Sequence, residues 1–83
     1  MYTVRVKPKA MKELHSLPKK DQGRVLAAFD VLRENPVAGK LLEGNYKGFR
    51  SLRVWPYRII YFVDHTIITV TVVKVGNRKN VYR

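Results

Sequence analysis

Cations with aromatic side chains set between them run through the second half of this chain, from Gly48 through Arg50, Arg53, Trp55 and Arg58 to Tyr61, and again from Val75 to Arg83. A guanidinium grips phosphate through two parallel hydrogen bonds and stays charged at any working pH, while aromatic rings stack on unpaired bases. Arg53 and Arg58 flank a turn made of Trp55 and Pro56, so antiparallel pairing sets their strands side by side. Like charges placed there repel unless an anion sits between them, which makes the pair a candidate phosphate site. In the competing reading each guanidinium lies over a neighbouring Tyr or Trp at the surface and binds nothing.

Other chemistries are poorly supplied. Metal catalysis needs several carboxylate or imidazole ligands brought together, and the chain has two histidines, His15 and His65, far apart in sequence. Four of its six acids, Glu13, Asp21, Asp30 and Glu34, fall on predicted helices, where pairing with neighbouring Lys and Arg on solvated faces accounts for them. Neither a metal nor another cofactor is expected. The same scarcity argues against an acid-base pair built from His or carboxylates.

The charge has a direction. Seventeen Lys and Arg against six Asp and Glu give a net +11, and such an excess attracts phosphate polymers and speeds encounters with them. Residues 1–43 hold nine basic and five acidic side chains, whereas residues 44–83 hold eight basic side chains and Asp64 alone as an acid. The second half is therefore the expected contact surface. Eighty-three residues, 46% of them hydrophobic, suit one small domain spanning 1–83. With no cysteine, no disulfide or thiolate zinc site holds the core, and with neither a signal-like apolar stretch nor a membrane-length run the expected location is the cytoplasm.

The elements that position these residues follow from hydrophobic period. Tyr2, Val4 and Val6 alternate with polar residues as in a strand. Pro8 then suits the first turn of a helix carrying Met11, Leu14 and Leu17, which Pro18 stops. A longer helix follows, with Asp21 near its start and Val25, Leu26, Ala28, Phe29 and Leu32 as its apolar stripe, closing at Asn35-Pro36. Residues 37–46, with Gly39 and Gly44, read as a surface connection. Beyond Lys47 the period falls to 2, giving strands over 49–54, 57–63 and 67–74 joined by short turns. The expected fold is α+β in the order β-α-α-β-β-β, with both helices on one face of a four-stranded, mainly antiparallel sheet. They would contact it through Met11, Leu14, Leu17, Val25, Phe29 and Leu32.

Five sequence pieces in this order resemble one family: Tyr2-Thr3-Val4, Ala10 to Leu14, Pro36 to Gly44 as P-x-x-G-x-x-L-x-G, Arg53 to Tyr61 as R-x-x-x-Y-R-x-x-Y, and Val75 to Tyr82 as V-G-x-R-x-x-V-Y. The frame is similar to the RelE/ParE superfamily of prokaryotic toxins. Its RelE branch implies a metal-independent endoribonuclease that cuts mRNA in the ribosomal A site, inhibits translation, and leaves a 2′,3′-cyclic phosphate and a 5′-hydroxyl. A cognate antitoxin, acidic or amphipathic, would mask it, and the free toxin would be a monomer that forms a hetero-oligomer with that partner. In-line attack by a 2′-hydroxyl needs that hydroxyl deprotonated, the phosphorane's charge stabilised and the leaving oxygen neutralised.

The resemblance places Arg53, Arg58 and Arg78 around the scissile phosphate and Tyr82 against a base or the scissile group. From sequence alone, an aromatic cap on the sheet edge explains Tyr82 equally well. For a general base the strand offers Lys47, Arg50 and Ser51, of which a guanidinium is a poor proton acceptor; Arg50 completes the candidate catalytic set. Lys40, Lys47, Lys74, Lys79, Arg83 and Trp55 are the candidates for holding RNA outside the cleavage position. The chain departs from the family pattern at Trp55-Pro56, where many relatives have Gly, so that a type VI turn with cis Pro56 is one way to close it, and at Asn77, where several have His. Two other readings stand beside the nuclease: a ParE-like inhibitor of DNA gyrase, and a basic nucleic-acid-binding module without catalysis.

Overall fold

The computed structural model describes residues 1–79 and 81. Strand β1, Thr3–Val6, leads into α1, Pro8–His15, and α2, Lys19–Glu34; β2, Lys40–Leu41, and a 3-10 turn at Gly44–Tyr46 precede β3, Arg50–Val54, β4, Tyr57–Asp64, and β5, Thr69–Asn77. The sheet is mixed and runs β1-β5-β4-β3-β2, with β1 parallel to β5 and every other pair antiparallel. The α+β expectation holds, but the sheet has five strands rather than four. The additional strand is the two-residue β2, whose Lys40 and Leu41 pair with Ser51 and Arg50 inside the expected connection.

Alternation along the strands divides the sheet into two faces. Ile59, Tyr61, Val70, Val72 and Val75 join Ala10, Leu14, Val25, Ala28, Phe29 and Leu32 in one buried cluster, so both helices pack on the same face. Pro8 starts α1, as expected, and its inner face is Ala10 and Leu14, with Leu17 packed beside them. Met11, expected in the core, is 37% exposed. Leu26, in the expected stripe of α2, is likewise 51% exposed, because the buried face follows Val25, Ala28, Phe29 and Leu32 at i, i+3, i+4 and i+7.

The helix acids divide between two roles. Asp30 pairs with Arg33 one turn along α2, the solvated pairing expected for it. Glu13 instead accepts a hydrogen bond from the Val75 backbone N–H at 3.0 Å. β1 covers β5 only as far as Val72, and α1 supplies the acceptor beyond it. Asp21 accepts from the Tyr57 hydroxyl at 2.5 Å, fastening the start of α2 to the start of β4. Among the described residues no helix is long and apolar enough to cross a membrane.

Candidate functional site

The face without helices carries Arg53, Arg58 and Lys74. In the β3–β4 ladder Arg53 stands directly opposite Arg58 and Ser51 opposite Ile60, and these residues point away from the helix-packed core. The Trp55–Pro56 peptide that closes the connection is cis. Arg78 arrives from the end of β5: its backbone N–H donates to the Pro56 carbonyl at 3.0 Å, and its guanidinium lies 4.5 Å from the centre of the Trp55 ring. Trp55 itself is 54% exposed.

Arg58 and Arg78 meet in a cavity of about 290 Å³ whose other walls are Lys40, Leu42 and Ser51. Ser51 is buried, and its hydroxyl accepts from an Arg58 guanidinium nitrogen at 3.3 Å, which fixes that guanidinium toward the cavity. Arg53, Arg58 and Arg78 form no ion pair among the described residues, where the ion pairs are Asp21–Arg24 and Asp30–Arg33 on α2. Arg58 and Arg78 line this small polar hollow and Arg53 stands beside Arg58 in the ladder, so guanidinium groups without an acidic partner gather here, which is the chemistry an anion would require. The stacking reading survives in part, since Arg78 both lies over Trp55 and lines the cavity.

Arg50 stands apart from this cluster. It pairs with Tyr61 in register, which puts it on the helix side of the sheet, and a guanidinium nitrogen donates to the Gly39 carbonyl at 2.9 Å. The Tyr61 hydroxyl accepts from the Gly39 N–H and donates to the Pro36 carbonyl, both at 2.8 Å. Burial pushes the Tyr61 phenol above its usual range, against the lowering effects of the Gly39 hydrogen bond and the Arg50 charge. Together these contacts fasten residues 36–39 to the sheet and carry Lys40 and Leu42 to the cavity wall. Sequence reasoning weighed Ser51 only as a base, and it kept Lys40 apart from the cleavage position. The period of 2 already puts Ser51 on the face of Arg53 and opposite to that of Arg50.

Of the remaining candidates, Lys47 and Lys79 are exposed, and Lys74 is half-buried on the helix-free face. The Lys74 ammonium donates to the Val81 carbonyl at 3.1 Å and to the Tyr46 hydroxyl at 3.0 Å, and lies 5.5 Å from the Tyr46 ring centre. Tyr46, Phe49 and Phe62 follow one another edge to face across this side of the sheet. Tyr82 and Arg83 lie outside the described residues. No three His, Asp or Glu side chains converge among the described residues.

Comparison with known proteins agrees with this architecture. The family model described as the ParE toxin of the type II toxin-antitoxin system parDE matches residues 4–82. The chain is 36% identical over 88 aligned positions to Toxin RelG of Mycobacterium tuberculosis, spanning 99% of this chain and 97% of that protein. Among solved structures it is similar to the RelBE2 toxin-antitoxin complex of M. tuberculosis, with a TM-score of 0.86 and 35% identity over 93% of this chain and 98% of that one. An archaeal RelE-RelB complex from Pyrococcus horikoshii gives a TM-score of 0.82 and 30% identity over 95% and 97% of the two chains.

Proposed function

The chain belongs to the RelE/ParE superfamily of type II toxins, and from that membership we propose that it is an endoribonuclease that cleaves mRNA in the ribosomal A site and so inhibits translation. The observation that carries this reading is the cavity in which Arg58 and Arg78, neither ion-paired among the described residues, converge beside Ser51 and Lys40. A cavity of about 290 Å³ suits a phosphodiester group and its immediate neighbours rather than a folded partner.

Arg58 and Arg78 clamp the scissile phosphate and stabilise the charge that builds on the phosphorane as the 2′-oxygen attacks. Arg53, opposite Arg58 at the solvent side, holds an adjoining phosphate. Lys40 is the one amine among the described residues lining the cavity, and its ammonium is placed to hand a proton to the leaving 5′-oxygen, which a guanidinium does poorly, while the 2′-hydroxyl gives its proton to water. Arg50 serves the site indirectly, by holding Gly39. Internal attack by the 2′-hydroxyl leaves a 2′,3′-cyclic phosphate and a 5′-hydroxyl. An acidic or amphipathic antitoxin covers the basic face in the producing cell's cytoplasm; the RelBE relatives named above are themselves toxin-antitoxin complexes.

The matching family model bears the name of ParE, which favours gyrase inhibition as a second reading. Expressing the chain alone in bacteria and mapping mRNA 5′ ends separates the two. Cuts at fixed phase within codons support the nuclease, gyrase-dependent DNA breaks with intact mRNA support the ParE-like reading, and absence of both leaves a binding module.

A further inference from the structure

We infer that Lys74 is a positioning residue, whose ammonium ties together the two segments that wall the cationic cavity. Lys74 faces Ile60 across the β4–β5 ladder, on the helix-free side of the sheet. One of its hydrogen bonds reaches the Val81 carbonyl and another the Tyr46 hydroxyl. These acceptors belong to different walls. Tyr46 ends the 3-10 turn that follows Lys40 and Leu42, while Val81 closes a turn whose N–H donates back to the Asn77 carbonyl at 3.1 Å, with Arg78 in between. Val81 is buried, and its side chain lies over Gly76, where a Cβ on that glycine would be in ordinary contact with it.

A half-buried ammonium needs acceptors within the protein for the donors it withdraws from water. Here at least two of its three donors are committed to neutral oxygens within the protein, and the Tyr46 ring adds a cation–π contact. Those donors hold wall to wall and are not turned toward an incoming phosphate. The spacing between Lys40 and Arg78 is thus set from the same face of the sheet by a side chain that does not line the cavity. Its effect on cleavage runs through Arg78 and Lys40, so the inference rests on the nuclease reading for its activity arm alone.

Lys74→Met, which keeps the length and removes the donors, should slow single-turnover cleavage on programmed ribosomes by about 10- to 100-fold, the scale on which a displacement of about 1 Å acts. Lys74→Arg, which can reach both acceptors, should recover most of the rate. Adding Lys74→Met to Arg78→Ala should cost less than the sum of the two single changes, because part of the effect of Lys74 runs through Arg78. Binding of an unstructured single-stranded RNA oligonucleotide should retain its salt dependence. Loss of a phosphate ligand would instead flatten the slope of log affinity against log salt by about 0.7. A flattening of that size, or a Met variant cleaving at the wild-type rate, overturns the inference.

Amide hydrogen exchange tests the tie without cleavage. The Val81 and Arg78 amides of Lys74→Met should exchange at least about tenfold faster while the Ile59 and Val70 amides keep their protection, as local opening requires. Unchanged exchange at Val81 overturns the proposal even if the protein proves not to be a nuclease. A wild-type protein that cuts no RNA while Lys74→Met loosens Val81 sinks the nuclease reading and leaves the tie standing.

Discussion

Replacing Gly39 with alanine tests how residues 36–42 are fastened to the sheet. A Cβ at Gly39 would stand 2.7 Å from the Tyr61 hydroxyl oxygen, 2.9 Å from the ring carbon Cε1 and 3.0 Å from the Ser51 carbonyl carbon. None of these neighbours yields easily. Tyr61 is fully buried, with its hydroxyl bonded to both Gly39 and Pro36, and Ser51 is backbone in the middle of a ladder. The strap must lift, breaking the two hydrogen bonds that satisfy the buried phenol, at roughly 1–2 kcal/mol each. The expected loss is about 2–4 kcal/mol, from a total near 5 kcal/mol for a domain of this size. At roughly 4–8 °C per kcal/mol, the Tm falls by about 8–32 °C.

Thermal and urea unfolding followed by circular dichroism measure this directly. Tyr61→Phe is the control, since it removes both hydroxyl bonds without a clash and should cost less, about 1–3 kcal/mol. The double variant Gly39→Ala/Tyr61→Phe should regain only part of the loss, because Cε1 and the Ser51 backbone stay within 3.0 Å of the new methyl. A Gly39→Ala protein melting within about 3 °C of wild type would falsify the placement of the strap against Tyr61, and with it the account of how Lys40 reaches the cavity.

Other expectations follow from the same geometry. In single-turnover cleavage, Arg58→Ala and Arg78→Ala should each be slower by about 10²–10³ with the fold retained, and Arg58→Lys should rescue only in part because an ammonium loses the two-pronged grip; wild-type rates in folded variants remove both residues from the mechanism. Lys40→Arg keeps the charge but not the exchangeable amine, so cleavage should fall while RNA affinity holds, and equal losses of both would make Lys40 a phosphate ligand only. Affinity for RNA should drop steeply as salt rises, and a flat response would argue against an electrostatic interface. Stability should decline as pH climbs past 10: Tyr57, through its hydrogen bond to Asp21, and Tyr61, through burial, are held above that value in the folded protein, so the unfolded chain ionises first. Below pH 10 the contribution is complete, and urea titrations between pH 8 and 11 should show Tyr61→Phe losing less stability on alkalinisation than wild type.

Most of the fold was legible because the chain changes period where the architecture changes. The alternation of Tyr2, Val4 and Val6, the helical spacing of Val25, Phe29 and Leu32, and the return to alternation after Lys47 each map onto an observed element. The misjudged places have physical reasons. β2 is two residues long, too short to show any period, and tertiary bonds to Gly39 hold it in place rather than its own propensity. Met11 lost its place to Ala10 because an alanine reads as neutral in sequence, yet lets a helix approach a sheet closely. Glu13 looked like a solvated acid, and its bond to Val75 depends on where β1 stops covering β5, which no local pattern records. In the site, the pairing of Arg53 with Arg58 followed from turn length and Arg78 joined them through the family resemblance, whereas Lys40 comes from a remote segment that only the folded chain brings to the cavity.

The cavity sets stability against chemistry. Arg53 and Arg58 oppose each other in register, and Arg78 is held beside Arg58 by a backbone bond to Pro56, so three like charges share one end of the sheet. The acid available in this half of the chain, Asp64, lies at the far end of β4, where its carboxylate accepts the Thr66 and Ile67 amides and caps a turn. A sequence shaped for stability alone would place an acid across from Arg58, since opposite charges in that position stabilise and like charges do not. Ser51 occupies the neighbouring position instead, orienting the Arg58 guanidinium without neutralising it. The face is therefore left with its charge unmatched in a fold otherwise well satisfied, with no described buried side-chain nitrogen or oxygen lacking a partner. An unmatched charge kept at fixed geometry is what the proposed phosphate clamp requires, the counter-charge being supplied by the RNA that it would hold.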